Sequence, residues 1–172
     1  MKTREITEIG ILSALMIVFT LLSGYFQIGS LTLNLALIVI VVAACRYGKL
    51  VGFLVGAING VVILLQPATA AFYAVSVIGT ILICPLKTGL AGLVCAVVYD
   101  ALKNVNHKVA VTVASALVPI VNTGVFILGS VIFFKGTFGS LITIFVTVNF
   151  VVELITTVIL SVAASYVLKL KK

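Results

Sequence analysis

Residues 46–65 decide the fold: Arg46-Tyr47-Gly48-Lys49, then Leu50-Val51-Gly52-Phe53-Leu54-Val55-Gly56-Ala57-Ile58-Asn59-Gly60-Val61-Val62-Ile63-Leu64-Leu65. A tight basic turn opens onto an unbroken uncharged run long enough to enter a bilayer. Gly48, Gly52, Gly56 and Gly60 recur every four residues, so they share one helix face. A glycine face forms a groove that lets another helix approach closely. Two readings stay open at this point. The groove packs against a helix of the same bundle, or Gly48, Gly52 and Gly56 meet a partner subunit.

Working outward, the same alternation of apolar run and short polar turn fills the chain. Of its 172 residues 63% are hydrophobic and 9% charged, against about half and about a quarter in soluble domains. One small core cannot hide that much apolar surface, whereas lipid can. The runs predict six spans, over about 5–24, 31–44, 50–65, 85–102, 109–134 and 138–168. The expected fold is an all-α, six-helix transmembrane bundle forming a single domain over 1–172. Residues 70–84 are apolar but rich in Ser, Thr, Gly and Tyr, and read as re-entrant or partly helical. Pro85 suits the first turn of the fourth span, where its missing N–H costs nothing. Pro119 is expected to bend the fifth.

The charge of +7 falls in small clusters between apolar runs, not in a stripe, which argues against nucleic acid. Lys2, Arg4, Arg46, Lys49, Lys103, Lys108, Lys169, Lys171 and Lys172 lie on one side of this topology; Lys87 and Lys135 do not. The positive-inside rule puts that side, and both termini, in the cytoplasm. Cys45, Cys84 and Cys95 are odd in number and sit in apolar stretches, so they read as small buried hydrophobes. The first apolar run is too long for a signal peptide and reads as a retained helix. No P-loop, GxSxG, HExxH or paired-carboxylate motif occurs, so no ATP hydrolysis, catalytic residue, metal or cofactor is expected.

Lys87 and Glu153 are ionisable groups inside apolar segments. A charge at bilayer depth costs about 2.5–3.5 kcal/mol by insertion scales, so such residues face a cavity or a partner. Asn149 lies one helical turn before Glu153, and Asn122 falls mid-span. Lys87, Asn122, Asn149 and Glu153 could converge in one outward-opening pocket, or Lys87 and Glu153 could simply tie two helices together. Asn34, Gln66, Tyr73 and Phe126 lie near the outer ends, beside loops able to cover such a pocket. His107 sits in a polar turn and reads as solvated.

The layout resembles the substrate-binding S component of energy-coupling factor (ECF) vitamin transporters, of the group whose members share one energising module. Glu8-Ile9-Gly10-Ile11-Leu12-Ser13-Ala14-Leu15 is similar to the family's AxxxA face, with Gly10 in place of the first alanine. Arg46-Tyr47-Gly48-Lys49-Leu50-Val51-Gly52 looks like its second-span turn. Lys87-Thr88-Gly89-Leu90-Ala91-Gly92 and Pro119-Ile120-Val121-Asn122-Thr123-Gly124-Val125-Phe126 look like patterns common in S components. The resemblance implies a non-catalytic, six-helix subunit in the bacterial cell membrane that captures a vitamin from outside. It implies docking, through Gly10 and Ala14, on a transmembrane coupling subunit driven by two cytoplasmic ATPases. Lys87 would suit a carboxylate cargo such as pantothenate. Glu153 could cancel that charge and suit a pyridoxine- or hydroxymethylpyrimidine-type ring. A stand-alone carrier would need an inverted repeat, and an intramembrane enzyme a nucleophile with its base; neither is found.

Overall fold

The computed structural model describes residues 3–25, 27–28, 31–32, 34–134 and 140–167, with side chains over 6–24, 34–134 and 148–166. It is an all-helical membrane bundle. Its long helices are α1 (Thr3–Tyr25), α2 (Ala36–Tyr47), α3 (Lys49–Ile63), α5 (Val77–Leu102), α6 (His107–Phe133) and α7 (Ser140–Val167). A 3-10 turn (Pro67–Thr69) and the short α4 (Ala70–Val75) follow α3. Strands β1 (Gln27–Ile28) and β2 (Leu31–Thr32) form a small antiparallel hairpin between α1 and α2. Among the described residues four helices are long and apolar enough to cross a bilayer: α1, α5, α6 and α7. The chain turns by 78° between α3 and Pro67–Val75, and that bent pair makes a fifth apolar segment.

α2 is the axis of the bundle. Its Ala36, Leu37, Val39–Cys45 run is buried on every face, as expected of a helix that is apolar all round. At twelve residues it is only about 18 Å long, whereas α5 and α6 each reach about 40 Å. The central helix therefore stops short of its neighbours and leaves depth unfilled at its N-terminal end. Around it α3 packs on α5, α5 on α6, and α6 on α7, while α1 leans on α2 and α3.

Gly48 joins α2 to α3. It is the single residue between them, at φ +86°, a conformation that costs glycine nothing. Its N–H closes α2 on the Ala44 carbonyl at 3.0 Å. Arg46 and Tyr47 thus end α2 instead of forming a separate turn. Arg46 pairs with Glu8 of α1 at 2.8 Å, and the Tyr47 hydroxyl donates to the same carboxylate.

Three boundary expectations are corrected. The second helix begins at Ala36, not Leu31, because Leu31 and Thr32 pair with β1. Residues 70–84 are not one unit: 70–75 form α4 and 77–84 are the first two turns of α5. Pro85 therefore lies inside α5, not at its start. The start signal is Ser76, extended at φ −156°, whose Oγ accepts from the Gly79 N–H at 3.2 Å; this N-cap outweighs the proline. Asn106 caps α6 in the same way, accepting from Lys108 N and Val109 N. Pro119 lies within α6.

Candidate functional site

Where α2 stops short, a chamber of about 110 Å³ opens, lined by Ser23, Asn34, Ile63, Gln66, Lys87, Asn122 and Glu153. Each helix supplies its wall from a definable place. Ser23 comes from the last turns of α1 and Asn34 from just before α2. Ile63 and Gln66 lie where α3 ends and turns. Lys87, Asn122 and Glu153 come from the middle of α5, α6 and α7. Lys87, Asn122 and Glu153 thus reach bilayer depth where the helices have left a hollow, which is where membrane proteins keep ionisable groups.

A smaller hollow of about 50 Å³ adjoins it. Its walls are Phe72, Phe126, Phe134, Ile83, Thr69, Thr80 and Cys84, and it shares Ile63 and Lys87 with the chamber. Phe72 meets Phe126 edge-on at 5.5 Å between centroids. The Lys87 Nζ lies 5.1 Å from the Phe126 centroid, within cation–π range. Lys87 therefore stands between an aromatic compartment and a polar one.

The polar groups are under-used. Among the described residues, ion pairs within 4 Å join Arg46 to Glu8 and Lys103 to Asp100; Lys87 and Glu153 line the same chamber without such a contact. The Oδ1 atoms of Asn34 and Asn122 are buried with no hydrogen-bond partner, and Asn122 is only 6% exposed. A buried amide without a partner costs about 1–3 kcal/mol. Two such amides in one hollow with Lys87 and Glu153 make it a candidate binding site.

A family model for the substrate-specific component of ECF transporters matches residues 4–168. The chain belongs to that family. It is a membrane-embedded substrate-binding subunit for ECF uptake, in the cell membrane. No curated protein and no solved structure matched, so the family model carries the assignment.

The chamber of this S component gathers Asn34, Gln66, Lys87, Asn122 and Glu153, and the adjoining hollow takes Phe126. Asn149 and Tyr73 are not in either lining. Asn149 lies on α7 one turn from Glu153. The Tyr73 hydroxyl donates to the Leu64 carbonyl at 3.2 Å, across the bend after α3. Gln66 does double duty, since its Nε2 also donates to the Thr20 carbonyl of α1 at 2.6 Å. Ser23, Ile63 and Phe72 are wall residues that sequence reasoning missed. For Ser23 a signal existed: Met16, Thr20 and Ser23 are all buried on α1 and fall at i, i+4 and i+7, a polar-tipped inward stripe.

The glycine face of α3 is internal, which corrects the expectation of a partner surface for Gly52 and Gly56. A Cβ on Gly52 would lie 2.7 Å from the Gly92 carbonyl oxygen. On Gly56 it would collide with the Thr88 carbonyl, and on Gly60 with the Cys84 carbonyl and the Pro85 Cα. Cys84, Thr88 and Gly92 repeat at the same four-residue spacing, so α5 fills the groove turn by turn. Gly48 has open space around it, but its role is the α2–α3 joint. By contrast Gly10 and Ala14 lie on an exposed face of α1, and a Cβ on Gly10 meets nothing within 4 Å. His107 is half-buried and sits 3.2 Å from the Tyr99 hydroxyl, so it is more than a solvated turn residue.

Proposed function

We propose that this S component captures a carboxylate-bearing micronutrient, with pantothenate the first choice, and has no catalysis of its own. The observation that carries the reading is a lysine without a contact ion pair, Lys87, at the meeting of a polar and an aromatic hollow. A cargo carboxylate supplies Lys87 with a charge-assisted hydrogen bond. The hydroxyl and amide groups of pantothenate can donate to Glu153 and to the buried oxygens of Asn34 and Asn122. Its apolar methyl groups suit the phenylalanine-lined side. The pyridoxine- or pyrimidine-type alternative uses Glu153 as the principal contact and leaves Lys87 without an anion.

The chamber faces outward in this reading. Arg46, Lys49, Lys103 and Lys108 stand at the ends of α2, α3, α5 and α6 remote from it. The N-terminal part of α1 and the C-terminal part of α7 belong to that same basic end, through Glu8 with Arg46 and Tyr166 beneath Lys108. The positive-inside rule makes it cytoplasmic, with both termini there and the single domain spanning between.

Docking on a transmembrane coupling subunit, and through it on two ATPases, falls to the open small-residue face of Gly10 and Ala14. Close helix approach in lipid depends on such residues. Ala14→Trp tests this. In cells that also express an ECF module, uptake of labelled pantothenate falls at least tenfold, to background. Pantothenate binding by the purified variant stays at the wild-type level. Uptake by the chain without any module contradicts the S-component role, and joint loss of uptake and binding contradicts the interface.

A further inference from the structure

The chamber's own charges bear on more than the identity of the cargo. Empty, it holds one amine and one carboxyl group, Lys87 and Glu153, whose charges cancel when both are ionised. No other ionisable carboxylate or amine lines it among the described residues. Glu8, Arg46, Lys49, Asp100, Lys103, His107 and Lys108 all belong to the opposite end of the bundle. Facing Glu153, α5 offers Lys87, with Cys84 in the adjoining hollow; α6 offers neutral Asn122, and the approach to α2 neutral Asn34.

A carboxylate cargo adds one negative charge. One ammonium neutralises one carboxylate, and a second carboxylate in the same low-dielectric space is driven to hold a proton. Net charge at bilayer depth is strongly disfavoured. The chamber also holds what a protonated glutamic acid needs. The Oδ1 of Asn122 is buried, unpartnered and able to accept an O–H. We infer that cargo and proton load together: the cargo carboxylate binds Lys87 while Glu153 takes up one proton from solvent. This inference rests on the carboxylate reading of the cargo given above.

The test is calorimetric titration of the purified protein with pantothenate, in two buffers of different ionisation heat. The expected result is proton uptake that rises with pH toward about one per pantothenate bound, with affinity weakening about tenfold per pH unit where empty-chamber Glu153 is ionised. Glu153→Gln removes the proton uptake and flattens the dependence, so that at the alkaline end it binds more tightly than the wild type. Wild-type binding with no proton uptake and no pH dependence overturns the inference and leaves the pantothenate reading standing. Uptake that persists in Glu153→Gln assigns the proton elsewhere and overturns the role of Glu153. No pantothenate binding anywhere between about pH 6 and pH 8 overturns the carboxylate reading itself, and the inference with it. The wild-type two-buffer measurement decides even where the variant fails to fold.

Discussion

Gly60→Leu should lower the thermal midpoint by about 10 °C or more. At this position α3 lies directly on the backbone of α5: an added Cβ collides with the Cys84 carbonyl and the Pro85 Cα. Overfilling a packed interior costs about 1–3 kcal/mol where side chains can shift. Here the obstacles are main-chain atoms, and one belongs to a proline ring that cannot rotate away. The cost therefore lies at or above the top of that range, about 3 kcal/mol or more. With lipid on the outside there is no hydrophobic gain from driving two helices together, so close packing is what holds this seam. A loss of 3 kcal/mol corresponds to roughly 10 °C in thermal midpoint for a chain of this size. Thermal unfolding in detergent measures it, and recovery from the membrane should fall in parallel. Gly124→Ala is the contrast. A Cβ there meets nothing within 4 Å, and alanine is the better helix former, so the midpoint should hold or rise. A Gly60→Leu protein as stable as the wild type would mean that the α3–α5 seam is not as close as described.

Lys87→Met should abolish capture while sparing the fold. Methionine keeps the length and most of the apolar stem. What disappears in the empty protein is the cation beside the Phe126 ring, worth about 0.5–1 kcal/mol, and the counter-charge to Glu153 in the same chamber. The loaded protein loses much more. A hydrogen bond to a charged group contributes about 1.5–3 kcal/mol. With the chamber's one cation among the described residues gone, the incoming carboxylate finds no counter-charge at bilayer depth. Together these predict a loss of affinity for pantothenate of about 100-fold or more, each tenfold being about 1.4 kcal/mol. Equilibrium binding to the purified variant checks the loss, and the thermal midpoint checks that the fold is kept. Undiminished binding by a stably folded Lys87→Met protein would remove Lys87 from the site.

How much of this was readable beforehand differs between elements, for physical reasons. The membrane class, and α1, α3, α6 and α7 to within a few residues, follow from hydrocarbon's exclusion of charge. That exclusion writes long apolar runs punctuated by Lys, Arg and Asn. The glycine spacing of α3 is equally plain, but spacing does not name the partner. Only the matching repeat Cys84–Thr88–Gly92, brought alongside by the fold, shows that the groove is filled from within. The starts of α2 and α5 are harder to read. In lipid-facing sequence a strand pair of two residues and a serine N-cap are local signals, weaker to the eye than a proline. The site was half legible. Lys87, Asn122 and Glu153 announce themselves as polar groups at depth. Ser23 and Ile63 do not, because a serine bonded to its own helix, here to the Phe19 carbonyl at 2.7 Å, and an isoleucine are ordinary in any membrane helix. What makes them wall residues is the shortness of α2, a tertiary fact.

In the proposed function the hollow above α2 holds a carboxylate cargo against Lys87. Mass spectrometry of the small molecule released from freshly purified protein, wild type beside Lys87→Met, tests it most directly. The expected release is one carboxylate-bearing micronutrient, pantothenate first, from the wild type in near-equimolar amount and missing from the variant. Release of a molecule that lacks a carboxylate, or of equal amounts from both proteins, would contradict it.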